Sequence, residues 1–240
     1  MTREQAREKI IFALDIDRVA EVDRWAELLA GHVGMFKVGK QLFTAGGPAT
    51  VERVRARGID VFLDLKYHDI PNTVAMAGIE ATRLGAKLFN VHALGGYDMM
   101  AKTAEEVRKT AGREGTKILA VTILTSSTEQ TLRDVGIDRS VSEMVVRLAM
   151  LAKKAGIDGV VASPQEVGII REACGSDFLV VTPGVRPATA AADDQKRIMT
   201  PGEAIAAGAD YLVIGRPISA APDPVEACQA IIDEIAEVLL

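Results

Sequence analysis

Short apolar segments alternate with amphipathic segments along the chain. Several of the apolar segments have Val, Ile, Leu, Phe or Ala at nearly every position, which is typical of parallel strands covered by helices. We predict eight strands, at residues 10–14, 35–38, 61–65, 88–91, 118–123, 159–162, 178–181 and 211–214. A regular alternation of this kind indicates an α/β protein.

The segments between these strands have helical spacing. Residues 19–29 place apolar side chains at intervals of three and four, and the Asp-Pro pair at 223–224 predicts the start of a final helix. Asn72 is a suitable N-cap residue, so we predict that it opens the helix that ends near Gly85. Residues 125–156 are long enough for two helices.

Eight strands with intervening helices predict a (β/α)8 TIM barrel, as a single domain over residues 1–240. A doubly wound open sheet is the alternative. That fold usually has a Gly-rich turn after its first strand, and residues 14–21, LDIDRVAE, contain no glycine. No linker separates two parts of the chain, so we expect one domain.

Composition limits the classes of partner. The net charge is −5 and no block of Lys or Arg occurs, which argues against a nucleic acid or a membrane surface. The first residues are polar, and no run of about 18 apolar residues predicts a membrane span. Cys174 and Cys228 have no CxxC neighbour, as expected for two buried thiols in a reducing compartment. We therefore predict a cytoplasmic protein that binds a small molecule.

The third predicted strand carries the most informative residues. Side chains alternate between the two faces of a strand, so Asp64 and Lys66 share one face. Opposite charges on a buried face mark functional sites more often than they stabilise a fold. Lys37 shares strand parity with Met35 on the second strand, and if it points inward it meets Asp64. These residues predict a catalytic site at the carboxyl end of the barrel.

The last two strands are followed by segments typical of a phosphate site. They read TPGVR at residues 182–186 and IGRPI at residues 214–218. Barrels often bind phosphate at this position. Gly215 permits a close approach of the backbone, and Arg186 and Arg216 can donate bidentate hydrogen bonds. Phosphate binding is therefore expected there.

The connection at residues 187–200 is long, polar and rich in alanine. Loops of this length are often functional. We predict that it forms a lid over the phosphate, with Gln195 as a polar contact.

Several segments resemble one known family. DLKYHDIPNT at residues 64–73 resembles the signature of the orotidine 5′-phosphate decarboxylases, and the resemblance extends over the whole chain. The other matching segments are FALD, FKVGK, VTILTS, TPGVRP and IGRPI. Together they are similar to the bacterial form of that family, which implies a cofactor-free decarboxylation without a metal ion.

The resemblance implies a role for each matching residue. Lys66 would deliver a proton to C6 of the pyrimidine. Asp64 and Lys37 would complete an alternating charge network with Asp69, which would reach in from the partner subunit of a homodimer. The other substrate contacts implied are Asp15, Lys37 and Thr73 near the ribose, Asp64 beside the ring, Thr125 or Ser126 at the base, and Gln195, Arg186, Gly215 and Arg216 at the phosphate.

Three other functions fit parts of the pattern. A Mg²⁺-dependent decarboxylase or synthase of sugar phosphates would need further acidic ligands at strand ends. A Schiff-base aldolase using Lys66 or Lys37 needs a lowered lysine pKa, whereas neighbouring Asp residues raise it. A non-catalytic protein that binds a phosphoribosyl ligand would leave a carboxylated substrate unchanged.

Overall fold

Eight parallel strands close into a barrel in chain order. The structure, a computed structural model, describes residues 1–112, 115–187 and 199–238. The strands are β1 (Ile10–Ala13), β2 (Met35–Gly39), β3 (Asp60–Tyr67), β4 (Leu88–His92), β5 (Lys117–Val121), β6 (Gly159–Val161), β7 (Leu179–Pro183) and β8 (Tyr211–Ile214). The predicted (β/α)8 TIM barrel is confirmed, while its extent over residues 1–240 stays a prediction.

Helices surround the barrel. Within the described residues they are α1 (Arg3–Glu8), α2 (Val22–Leu29), α3 (Lys40–Gly46), α4 (Ala49–Arg55), α5 (Pro71–Arg83), α6 (Gly96–Ala111), α7 (Glu129–Asp134), α8 (Val141–Lys154), α9 (Val167–Cys174), α10 (Pro201–Ala206), α11 (Arg216–Ser219) and α12 (Pro224–Glu237). Helices α7 and α8 are the two expected between residues 125 and 156. No helix in these described ranges is long and apolar enough to cross a membrane.

The strands separate two hydrophobic layers. Phe12, Phe36 and Phe89 point outward and belong to the large core between the barrel and its helices. The inward side chains form a smaller cluster, which includes Met35 and Phe62. Because successive side chains alternate, the inward positions that follow along β2 and β3 are Lys37 and Asp64. The barrel thus places charge directly above its apolar interior.

Two helix starts show how local sequence sets boundaries. Asp223 caps α12 as predicted, since its side chain accepts hydrogen bonds from the N–H groups of Val225 and Glu226. The prediction for Asn72 was wrong, because α5 begins at Pro71 and its N-cap is Ile70. Proline favours the first helical position, since its fixed φ suits the helix and its missing N–H is not needed there.

Candidate active site

A cavity of about 420 Å³ opens at the carboxyl end of the barrel. Its volume lies within the range of small-molecule sites. Apolar side chains from the strands and the segments after them form much of its wall, including Phe62, Val121, Ile123, Val161 and Val213. The predicted site residues that line it are Asp15, Lys37, Asp64, Lys66, Thr125, Arg186, Gly215 and Arg216. Charged and polar groups therefore converge on a pocket whose remaining wall is apolar.

Four of these residues form a row of alternating charge. Lys37 Nζ donates to Asp15 Oδ1 at 2.7 Å and lies 3.6 Å from Asp64 Oδ2. Lys66 Nζ donates to Asp64 Oδ1 at 2.5 Å. Each inner member of the row, Lys37 and Asp64, thus contacts two groups of opposite charge. The predicted meeting of Lys37 and Asp64 is confirmed.

The register of β2 and β3 and the absence of a side chain at Gly39 make room for this row. Lys37 pairs with Phe62 and Gly39 pairs with Asp64, so Lys37 lies one inward position below the carboxylate that it contacts. A methyl group added to Gly39 would lie 2.9 Å from Lys37 Nζ and 3.4 Å from Asp15 Oδ1. The bare backbone at Gly39 therefore leaves the space in which the ammonium meets the carboxylate of Asp15.

The row keeps Asp64 ionised although it is buried. Asp64 is 9% exposed and Lys37 is 8% exposed. Burial raises the pKa of Asp64, but the charges of Lys37 and Lys66 and the hydrogen bonds from Lys66 and Asn90 outweigh it. The net result is a pKa below the ordinary value for aspartate. A fixed negative charge therefore lies in the wall of the cavity.

Strand β3 is irregular where it carries the row. Leu63 pairs with Phe89 of β4 and Tyr67 pairs with Val91, so three residues of β3 face Asn90 alone. Within this bulge Lys66 has a φ of +54°, in the left-handed region. Such a conformation costs of order 1–3 kcal/mol for a residue other than glycine and is found mainly at functional sites.

The side chain of Asn90 makes hydrogen bonds to two residues of the bulge. Its Oδ1 accepts from the N–H of Lys66 at 2.7 Å, and its Nδ2 donates to Asp64 Oδ1 at 2.7 Å. The side chain is fully buried. Asn90 was not predicted from the sequence, although a lone amide in the apolar segment LFNVH is a recognisable signal.

The arginines lie beside the ends of β7 and β8. Arg186 is buried and its backbone N–H donates to the carbonyl of Met199 at 3.0 Å, which connects the residue before the predicted lid to one near its end. Arg216 is exposed at the start of α11, next to Gly215. Gln195 lies outside the described residues, so its predicted contact stays a prediction.

The remaining predicted residues are placed less centrally. Thr125 lines the cavity and is half-buried, whereas Ser126 is exposed and is not part of the lining. Asp69 and Thr73 are exposed and also lie outside the lining, and Asp69 Oδ1 accepts from the N–H of Ile70 at 2.6 Å. Within the described ranges, no group of three or more His, Cys, Asp or Glu side chains could hold a metal ion.

The match to a known family extends over most of the chain. A model of the orotidine 5′-phosphate decarboxylase / HUMPS family matches residues 8–231. The chain belongs to the orotidine 5′-phosphate decarboxylase family. A member from Geotalea daltonii is 72% identical over 98% of this chain and 99% of its own, and one from Geobacter sulfurreducens is 70% identical over the same shares. Both are named orotidine 5′-phosphate decarboxylase, and the prediction of a carboxy-lyase of this family is confirmed.

Solved structures agree with this membership. The crystal structure of orotidine 5′-phosphate decarboxylase from Lactobacillus acidophilus is 38% identical, with a TM-score of 0.83 over 94% of this chain and 98% of its own. The crystal structure of an uncharacterised conserved protein from Geobacillus kaustophilus is 40% identical, with a TM-score of 0.82. The match covers 94% of this chain and 99% of that protein's chain. The family fold and the barrel observed here are therefore the same.

Proposed function

We propose that this chain converts orotidine 5′-phosphate to uridine 5′-phosphate and CO₂ in pyrimidine biosynthesis, with Lys66 as the proton donor. The observation that carries the proposal is the row of Asp15, Lys37, Asp64 and Lys66 at the wall of the cavity. The names of its relatives in Geotalea and Geobacter support the choice of substrate.

The reaction needs a fixed positive charge beside the reacting carbon. The bond between C6 and the carboxylate breaks, CO₂ leaves, and the electron pair stays on C6, where the ring delocalises it poorly. The Lys66 ammonium stabilises that carbanion and then transfers a proton to it, and water returns a proton to Nζ. Because Asp64 and Asn90 already hold Lys66 in place, little reorganisation is required when the charge develops.

Asp64 contributes by repulsion. If the substrate carboxylate lies about 4 Å from Asp64, two like charges repel by roughly 4 kcal/mol at an effective dielectric constant of about 20. Repulsion of that size raises the energy of the bound substrate but cannot account for a large acceleration alone. We therefore rank stabilisation of the carbanion by Lys66 first and repulsion by Asp64 second.

The rest of the cavity binds the parts of the substrate that do not react. Asp15 and Lys37 hold ribose hydroxyls, and Thr125 contacts the base, a role that its position in the cavity wall favours over Ser126. The phosphate lies at the other side, against Arg186, Arg216 and the backbone of Gly215, with Gln195 as a contact from the lid. Binding energy at the phosphate holds the ring against the charged row.

A second copy of the chain completes the site. Asp69 and Thr73 are exposed outside the cavity, which suits residues that reach a neighbouring subunit's substrate. Exposed apolar side chains accompany them on the loop before α5, on α5, on the segment before α6 and in the first turn of α6: Ile70, Met76, Leu94 and Tyr97. Helices α5 and α6 pack together, so this surface suits a homodimer interface.

The proposal is tested by the change in ultraviolet absorbance as orotidine 5′-phosphate becomes uridine 5′-phosphate, with EDTA present. We expect rapid conversion by the wild type and a loss of at least about a thousandfold in kcat for Lys66→Ala, because both charge stabilisation and proton donation disappear. Lys109→Ala, on the exposed surface of α6, is the matched control and should keep full activity.

The outcomes separate the proposed function from the alternatives. No conversion by folded wild type, followed by activity on a sugar phosphate once Mg²⁺ is added, would establish the metal-dependent decarboxylase or synthase instead. Tight binding of uridine 5′-phosphate without any turnover would indicate a non-catalytic binding protein. Trapping by borohydride in the presence of substrate would indicate the aldolase.

A further inference from the structure

Asn90 is the single residue of β4 that faces the bulge carrying Asp64 and Lys66. A bulge leaves backbone groups without their usual partners in the neighbouring strand. Here the N–H of Lys66 is bonded by the side chain of Asn90 rather than by the β4 backbone. The same amide also donates to the carboxylate of Asp64. One buried side chain thus contacts both charged residues at the centre of the row.

Only a short amide can make both contacts. The N–H of Lys66 can only donate and an ionised carboxylate can only accept, so these two partners determine which way the amide of Asn90 is oriented. An aspartate at this position would accept from Lys66 but, when ionised, would repel Asp64. A leucine, whose side chain branches at the same atom, would make neither bond. The chemistry of the site therefore specifies the side chain at residue 90.

We propose that Asn90 is a positioning residue, which holds Lys66 in its left-handed backbone conformation and aims its ammonium group along the row. Its amide prevents the bulge from relaxing into regular pairing, a change that would rotate the Lys66 side chain away from Asp64. Asn90 does not line the cavity, so it acts through Lys66 and Asp64 and not on the substrate. This inference rests on the proposed function for its kinetic readout.

The test compares Asn90→Leu with Asn90→Asp by steady-state kinetics between about pH 5 and pH 8. We expect Asn90→Leu to lower kcat by about 10- to 100-fold and to change KM by less than about threefold, because a misaimed lysine affects the reacting carbon while phosphate binding is intact.

Asn90→Asp supplies a pH signature that a purely structural role would not produce. Its ionised carboxylate repels Asp64, whereas its protonated form can donate to Asp64 and still accept from Lys66, as the native amide does. We therefore expect kcat to be low at about pH 8 and to recover as the pH falls and this buried carboxyl becomes protonated. The wild type should show no such recovery.

A crystal structure of Asn90→Leu gives a readout that does not depend on activity. We expect the φ of Lys66 to leave the left-handed region and its Nζ to move away from Asp64. The proposal is overturned if Lys66 keeps its conformation or if kcat stays within twofold of wild type. If Asn90→Leu does not fold, a flat pH dependence of kcat in Asn90→Asp, parallel to wild type, overturns it equally.

Two controls separate this inference from other failures. Thr103→Val removes another fully buried hydrogen bond, to the carbonyl of Met99 on α6, and should lower stability without changing kcat. If the wild type itself does not decarboxylate orotidine 5′-phosphate, the proposed function fails. The conformation of Lys66 in the Asn90→Leu crystal then still decides the role of Asn90.

Discussion

At the scale of single residues, the charged row depends on neighbours that contribute no charge. Lys37 and Asp64 are buried, and each is compensated by groups on adjacent strands. Gly39 contributes by lacking a side chain, because Lys37 Nζ occupies the space beside its Cα. Small displacements of these atoms therefore alter the contacts within the row.

Gly39→Ala tests this dependence on space. The added methyl group would meet Lys37 Nζ at 2.9 Å, so the ammonium must shift from its position beside Asp15. We expect kcat/KM to fall by about 10- to 100-fold, since displacements of about 1 Å can cost this much, with little change in the unfolding temperature. Steady-state kinetics and a thermal melt measure the two effects.

Gly168→Ala is the matched control for Gly39→Ala. Gly168 lies on α9, and a methyl group there meets nothing within 4 Å. This variant should keep wild-type kinetics and gain about 0.5–1 kcal/mol of stability from the higher helix propensity of alanine. Identical kinetics for the two variants would contradict the role of Gly39.

The residues of the row were predictable to different degrees. Alternation along β3 was enough to place Asp64 and Lys66 on one face, and parity along β2 was enough to point Lys37 toward them. Asn90 was not predicted, because its contacts depend on a bulge, and a bulge is a property of two strands together. The space at Gly39 is likewise set by a side chain from another position of the fold.

At the scale of elements, β3 consists of a part that pairs regularly with β4 and a bulged part that carries Asp64 and Lys66. Phe62 and Leu63 pair regularly with β4, and the bulge begins only after them. Three residues of β3 lie opposite one residue of β4, so the bulge adds two residues and the alternation of side chains is kept. Leu65 and Tyr67 therefore pack outward against the main core, while Lys66 faces the cavity. The sequence predicted a strand ending at residue 65, whereas the structure extends β3 to Tyr67. Asp64 and Lys66 interrupt the apolar pattern of residues 63–67, so the sequence did not indicate that the strand continues.

The start of α12 offers a test of an element by itself. The carboxylate of Asp223 accepts from two backbone N–H groups, at 2.9 and 3.0 Å. We expect Asp223→Ala to lower the free energy of unfolding by about 1 kcal/mol, whereas Asp223→Asn, which keeps the acceptor oxygen, should lose much less. Urea unfolding followed by circular dichroism measures both. Equal losses in the two variants would show that the hydrogen bonds to the cap are not the cause.

At the scale of the whole molecule, the barrel brings together residues far apart in sequence. Asp15 follows β1 and Arg186 follows β7, yet both line one cavity. The sequence predicted this convergence, because the carboxyl ends of all strands in a closed parallel barrel meet at one rim. Spacing along a single chain could not indicate whether Asp69 acts in its own site or in the site of a second copy.

Mixed dimers test whether Asp69 acts across an interface. Lys66→Ala and Asp69→Ala should each be inactive alone. In dimers that form at random from equal amounts of both, about one site in four then contains native Lys66 and native Asp69, so about a quarter of wild-type activity should return. Activity of refolded or co-expressed mixtures is the measurement.

The control for the mixed dimers pairs Lys66→Ala with Asp64→Ala. Lys66 and Asp64 belong to the same site of one subunit, 2.5 Å apart, so no exchange of subunits restores a complete pair. This mixture should stay inactive. If the mixture with Asp69→Ala is equally inactive, Asp69 acts within its own subunit. If Asp69→Ala is active alone, Asp69 is not needed.

The row of alternating charge also acts only at short range. Two ammonium groups and two carboxylates sum to zero, so beyond the screening length of about 8 Å the row neither attracts nor repels an anion. The protein as a whole carries a net charge of −5, which does not favour the approach of an anion either. The strong field of the row is therefore confined to the cavity, and only a molecule that is already held there experiences it.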